Sequence, residues 1–107
     1  MAKLINLSND VKLNIYSTNL NDNFSISNTL PAGVDLNTIT IPGMYRLSGT
    51  VTNGPNNAAW SQMLVIYAGA DTGAQLIFPY NGAQIAYRAW NGYNSFRSWS
   101  YLTQTTS

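Results

Sequence analysis

From Met44 to Leu102 the chain is written with a period of two, and this constrains its fold more than any other feature. In MYRLSGTVT (44–52), Tyr45, Leu47 and Val51 fall on one side of an extended backbone and Arg46, Ser48, Thr50 and Thr52 on the other. Successive side chains of a strand point to opposite faces, so this alternation predicts a half-buried strand. QMLVIYA (62–68) is apolar on both faces and reads as a central strand. Ala74 to Phe78 follows, closed by Pro79. QIAYRAW (84–90) sets Ile85, Tyr87 and Ala89 against Ala86, Arg88 and Trp90, and SFRSWSYL (95–102) is last. No window carries apolar residues at helical spacing among good helix formers.

The joints agree. Asn53-Gly54-Pro55-Asn56-Asn57 is a loop, and Asp71-Thr72-Gly73, Asn81-Gly82 and Asn91-Gly92 are turn signals. Asn, Asp and Gly tolerate the positive φ that tight turns demand. Gly49, inside a strand pattern, marks a bulge or a close backbone approach. Strands at about ten-residue spacing joined by short turns predict an all-β fold, a small antiparallel sheet or meander.

Residues 1–29 differ. They are rich in Asn and Ser, and their apolar groups (Leu4-Ile5-Leu7, Val11-Leu13-Ile15, Phe24-Ile26) alternate only loosely. The expectation is an extended N-terminal arm over 1–29, for anchoring or oligomerisation, and a β domain over 30–107. The competing reading makes the arm an ordinary strand pair of the same domain.

Composition then limits function. The 107 residues suit a single domain, only 8% of them are charged, and the net charge is +1. Such a chain has no field for steering nucleic acid or an anionic membrane. Its polar surface is Asn, Ser, Thr and Gln, which suits neutral polar partners such as sugars, and packing against copies of itself. With no His and no Cys, Ser-His-Asp and Cys-His sets and most zinc sites are excluded. There is no Glu, so a paired-carboxylate site would need two of Asp10, Asp22, Asp35 and Asp71. Asp35 is better used in a turn, and Asp71 sits at a hairpin tip. Asn21, Asp22 and Asn23 could offer oxygens to Ca²⁺ but read more simply as a polar loop. Neither an enzymatic activity nor a cofactor is expected. The N-terminal MAKLINLSNDVKLN has no continuous apolar core of a signal peptide, and no run approaches 18 apolar residues. Synthesis in a cytoplasm without membrane insertion is expected.

The stretch DLNTITIPGMYRLSG (35–49) reads as a rigid lead-in to the sheet. Asp35 can accept an N–H from two residues on, an Asx turn. Leu36 and Ile39 then face the core, with Asn37 and Thr38 at the surface. Pro42-Gly43 fits a type II turn, with Gly supplying positive φ.

Taken in order, Asp35-Leu36-Asn37, Pro42-Gly43, Tyr45, Leu64-Val65-Ile66, Gln75, Tyr87-Arg88 and Trp99 resemble the pyocin-knob type domain, common at the C-terminal ends of bacteriophage tail fibres and R-type pyocin fibres. The resemblance covers residues 30–102. It departs at the closing motif, W-S-x-W-x-x-L in the family. Either Trp99-Ser100 opens it and the second Trp is absent, or Phe96 and Trp99 take the two aromatic places. The resemblance implies a small, mostly β module of a phage or phage-like particle, often a homotrimer near the receptor-binding end. The expected role is a non-enzymatic virion protein, a fibre-type knob attaching to host-surface glycan. The alternative is a structural head-fibre or capsid decoration protein held to other virion proteins through residues 1–29.

For glycan binding the residue types are in place. Aromatic rings stack on the C–H faces of sugars, and amides and guanidinium groups hydrogen-bond the hydroxyls. The candidate contacts are Trp60, Tyr80, Arg88, Trp90, Asn91 and Tyr93. Trp90 and Tyr93 could equally pack at an interface. Arg88 and Arg97 could instead stack on aromatics. Tyr87, Phe96 and Trp99 read as core.

Overall fold

The computed structural model describes residues 25–69, 71–92 and 95–105. Its strands, in chain order, are β1 (Ser25–Leu30), β2 (Gly43–Leu47), β3 (Gln62–Gly69), β4 (Thr72–Phe78), β5 (Ala86–Asn91), β6 (Ser95–Phe96) and β7 (Ser100–Tyr101). They form one sheet in the order β1-β2-β3-β4-β5-β6, with β7 also pairing β5. From β2 onward every pair is antiparallel. The all-β, meander-like expectation holds, and β3 is central as its two-sided apolar sequence required.

One pair departs from the meander: β1 runs parallel to β2. Parallel neighbours need a crossover of about a dozen residues, and residues 31–42 supply it. This connection lies over one face of the sheet and carries the single turn of 3-10 helix, Leu36–Thr38. The division after residue 29 falls inside β1, so the described end of the proposed arm is part of the sheet. Residues 1–24 lie outside the described residues.

Alternation along β2, β4 and β5 assigns the two faces. Gly43, Tyr45 and Leu47 are buried, as are Gly73, Gln75 and Ile77, and then Ala86, Arg88 and Trp90. With Met63 and Val65 of β3 they line the inner face, where Leu36 and Ala58 complete the buried core. Leu30, Val34, Ile39, Val51, Phe96 and Trp99 pack around it. The crossover is zipped to residues 50–52: Gly33 donates to Thr50 at 2.6 Å, Thr52 to Val34 at 2.8 Å and Leu36 to Thr52 at 3.0 Å.

The β5 face corrects one expectation. Tyr87, read as core, is exposed on the outer face, while Arg88 is buried. Cross-strand chemistry decides this, because Arg88 stands opposite Gln75 in register and bonds to it. Two glycines also differ from expectation. Gly43 has no positive φ and is simply the buried first residue of β2. Gly73 is not a turn residue but lies within β4, under the Trp90 ring. Gly49 is the close approach foreseen, with φ +142° and room for a Cβ only 2.8 Å from that of Ala32.

Candidate functional site

The most elaborate chemistry of the chain is internal. The Asp35 carboxylate accepts the Asn37 backbone N–H at 2.9 Å, the Asx turn foreseen, and the Asn53 side-chain amide at 2.8 Å. Those two bonds, Asn53 first, hold its carboxyl below the usual range. The Trp99 indole donates to the Asn53 carbonyl at 3.0 Å. The Arg88 guanidinium lies against the Phe96 and Trp99 rings, 4.1 and 4.5 Å from their centroids. Its Nε donates to Gln75 Oε1 at 2.9 Å. Gln75 Nε2 in turn donates to the carbonyls of Leu36 at 2.7 Å and Ile39 at 2.8 Å. The path from Asp35 through Asn53, Trp99, Arg88 and Gln75 thus returns to the residue beside Asp35. Burial pulls the Arg88 pKa down to about 10, and the Asp35 charge opposes that shift. The cluster holds one cation against amides and rings, with no second acid and no nucleophile. It fastens the crossover to the sheet.

The candidate contacts therefore separate. Arg88 is 5% exposed and Trp90 3%, so neither presents itself to a ligand on this chain. Trp90 packs against Phe96 with ring centroids 5.3 Å apart and over Gly73. Asn91 is exposed at the end of β5, opposite Thr72 and Ser95. Tyr93 lies outside the described residues.

Trp60 and Tyr80 both lie at the other end of the sheet, each two residues beyond the Gln62–Phe78 pair. They are 54% and 72% exposed. Between them Ser61 is fully buried. Its hydroxyl donates to the Asn57 carbonyl at 3.1 Å and its Oγ accepts the Tyr80 N–H at 3.3 Å. Its carbonyl accepts the Leu47 N–H at 2.9 Å. With Ser61 fixed inward, Trp60 is turned outward, at φ +63°. A bulky residue rarely takes the left-handed region, and such strain gathers at functional positions. Asn53 and Asn57 share that region, which explains the Asn-rich loop before Trp60. Seven residues of β4 at about 3.3 Å each separate this end from Asn91 by roughly 20 Å, so the candidates do not form one site.

Trp60 stands over a groove of about 460 Å³ lined by Ile26 to Thr29 of β1, Met44 to Arg46 of β2, Trp60 and Gln62. Asn28 spans the two strands, its amide donating to the Met44 carbonyl at 3.0 Å. Sequence alone pointed to Trp60 but missed Asn28 and Thr29, which the parallel β1–β2 pair brings to the groove, and Arg46 and Gln62, which face each other in the β2–β3 pair. A shallower recess of about 370 Å³ lies between Asn56, Asn57, Ala83, Gln84, Tyr101 and Gln104. No group of three or more His, Cys, Asp or Glu able to hold a metal ion occurs among the described residues.

The outer face of the sheet is a second surface. Register sets Met44, Leu64, Leu76 and Tyr87 in one row across four strands, and Ile66 beside Ala74 and Ala89 in the next. Met44, Ile66, Phe78 and Tyr87 are all exposed.

No family model matches the sequence, and no curated protein matches it. Solved structures do. An N-truncated R2-type pyocin tail fibre shares 22% sequence identity, with a TM-score of 0.65 over 73% of this chain and 32% of that one. The fold is that of a pyocin tail-fibre domain. The R2 pyocin fibre of P. aeruginosa gives a TM-score of 0.64 at 22% identity, over 73% of this chain and 22% of the fibre chain. This chain therefore spans well under half the length of either pyocin fibre. The internal Asp35–Gln75–Arg88–Trp99 cluster gives a physical reason for the spaced motifs: residues far apart in sequence meet in one hydrogen-bonded and stacked unit.

Proposed function

We propose that this chain is a non-enzymatic fibre-type knob of a phage or phage-like particle that attaches to host-surface carbohydrate. The observation that carries the proposal is Trp60, a solvent-facing indole held in the left-handed region over a polar groove. Its flat ring can take the C–H face of a sugar while Gln62 and the β1 side chains meet hydroxyls. The pyocin-fibre fold is consistent with this setting. Trp60→Asn is the direct test, because Asn tolerates left-handed backbone and removes the ring. On a glycan array the parent chain is expected to retain defined glycans and the variant to lose them, at an unchanged melting temperature. Equal binding by both would overturn the role of Trp60.

The exposed apolar row of the outer face favours a second reading. There the chain is a structural head-fibre or capsid decoration protein, anchored to other virion proteins through residues 1–29. In both readings copies of the chain associate, as a homotrimer, through the β3–β5 part of that face, around Leu76 and Tyr87, which leaves the groove at β1 and β2 open.

A further inference from the structure

We propose that the groove beneath Trp60 selects saccharides that carry an acidic group, with Arg46 as the residue that reads the charge. This rests on the attachment reading above and narrows its ligand class. Arg46 lies on the exposed side of β2, lines the groove, and stands between Thr29 and Gln62 in register. No hydrogen bond, ion pair or ring stacking engages its guanidinium among the described residues. The acids among those residues are elsewhere. Asp35 is engaged by Asn37 and Asn53, and Asp71 sits at the β3–β4 tip, at the far end of the sheet from Gln62. Every other lining side chain is neutral.

The groove thus offers an aromatic platform, neutral hydrogen-bonding groups and one cation with no counter-ion among the described residues. A planar guanidinium matches a carboxylate with two parallel N–H···O bonds and binds a phosphate oxygen pair similarly. In a chain with 8% charged residues, a cation that lines a cleft and has no counter-ion among the described residues gives that cleft its electrostatic preference. Arg88, by contrast, spends its charge inside the molecule.

The test is binding of the full chain to an array of oligosaccharides printed in pairs, each acidic sugar beside its neutral counterpart. Uronic acids are paired with their methyl esters, and sugar phosphates with the free sugars. Titration in solution, followed by the change in tryptophan fluorescence that Trp60→Asn removes, checks the hits. Acidic members are expected to bind about tenfold more tightly than their neutral partners, with the preference shrinking as salt rises. Arg46→Gln is expected to abolish the preference while weaker binding of both members remains. Trp60→Asn is expected to abolish binding of both. The carboxylate and phosphate arms show which acid is preferred. Equal binding of acidic and neutral partners, or a preference that survives in Arg46→Gln, overturns this inference and leaves the attachment reading intact. Retention of no glycan by the parent chain overturns both.

Discussion

Gln75 joins the crossover, β4 and β5 through one side chain. It is wholly buried, and one amide serves two crossover carbonyls and one guanidinium. Gln75→Leu keeps roughly the volume but leaves the Ile39 carbonyl and the Arg88 Nε without their partner, while the Leu36 carbonyl keeps only the Ile39 N–H. Buried orphans cost about 1–3 kcal/mol each and do not add simply. The expected loss is about 2–4 kcal/mol, measured by urea unfolding. Asp35 predicts a pH effect. Its carboxyl is held below the usual 3.8 by Asn53 and Asn37, so the folded state binds the proton less readily than the unfolded chain. The stabilisation is therefore complete above 3.8 and is lost as pH falls through the folded-state value. Melting scans should show the parent chain losing stability on acidification below that point, relative to Asp35→Asn. At this scale the sequence was legible where the constraint was local. The Asx turn needs only Asp35 and Asn37. For Arg88 the stacking reading holds, on Phe96 and Trp99, but its burial also depends on Gln75, and no pattern within β5 reveals that.

Among the elements, β4 and β5 meet most closely where Gly73 faces Trp90. A Cβ at Gly73 would overlap the Trp90 six-membered ring and stand 2.8 Å from the Ile66 carbonyl oxygen. Gly73→Ala is expected to destabilise by about 1–3 kcal/mol through overpacking. Adding Trp90→Leu should recover part of that loss, a coupling that a double-mutant cycle in urea would read directly. Additive losses would show that the ring is not the obstacle. The antiparallel strands were legible because a period of two and the Asn-Gly turns specify each hairpin within a few residues. β1 was not. SISNTL is polar and short, and its parallel pairing is set by where the crossover lies, not by its own pattern. The groove was hidden for the same reason, since Asn28, Arg46 and Trp60 belong to three separate segments.

On the largest scale, the described residues cover the inner face of the sheet and leave the outer face open. Leu64, Leu76 and Tyr87 in one row, with Ile66 and Phe78 exposed alongside, make a contiguous apolar surface across β3 to β5, the kind that marks an interaction site. Light scattering at micromolar concentration is expected to report a trimer. Leu76→Glu, on the outer face, should reduce that to the mass of one chain while leaving the far-ultraviolet circular dichroism of a β protein. A parent chain that runs as a monomer would remove this face from the account of assembly.

The Ser61 arrangement has a consequence for how such a tip can change over generations. The inward hydroxyl does the fastening, and its outward neighbours bear none of that duty. Position 60 is thus open to any side chain that accepts the left-handed backbone, and position 80 is nearly as permissive. New surface chemistry can be tried there one substitution at a time without loosening the sheet beneath.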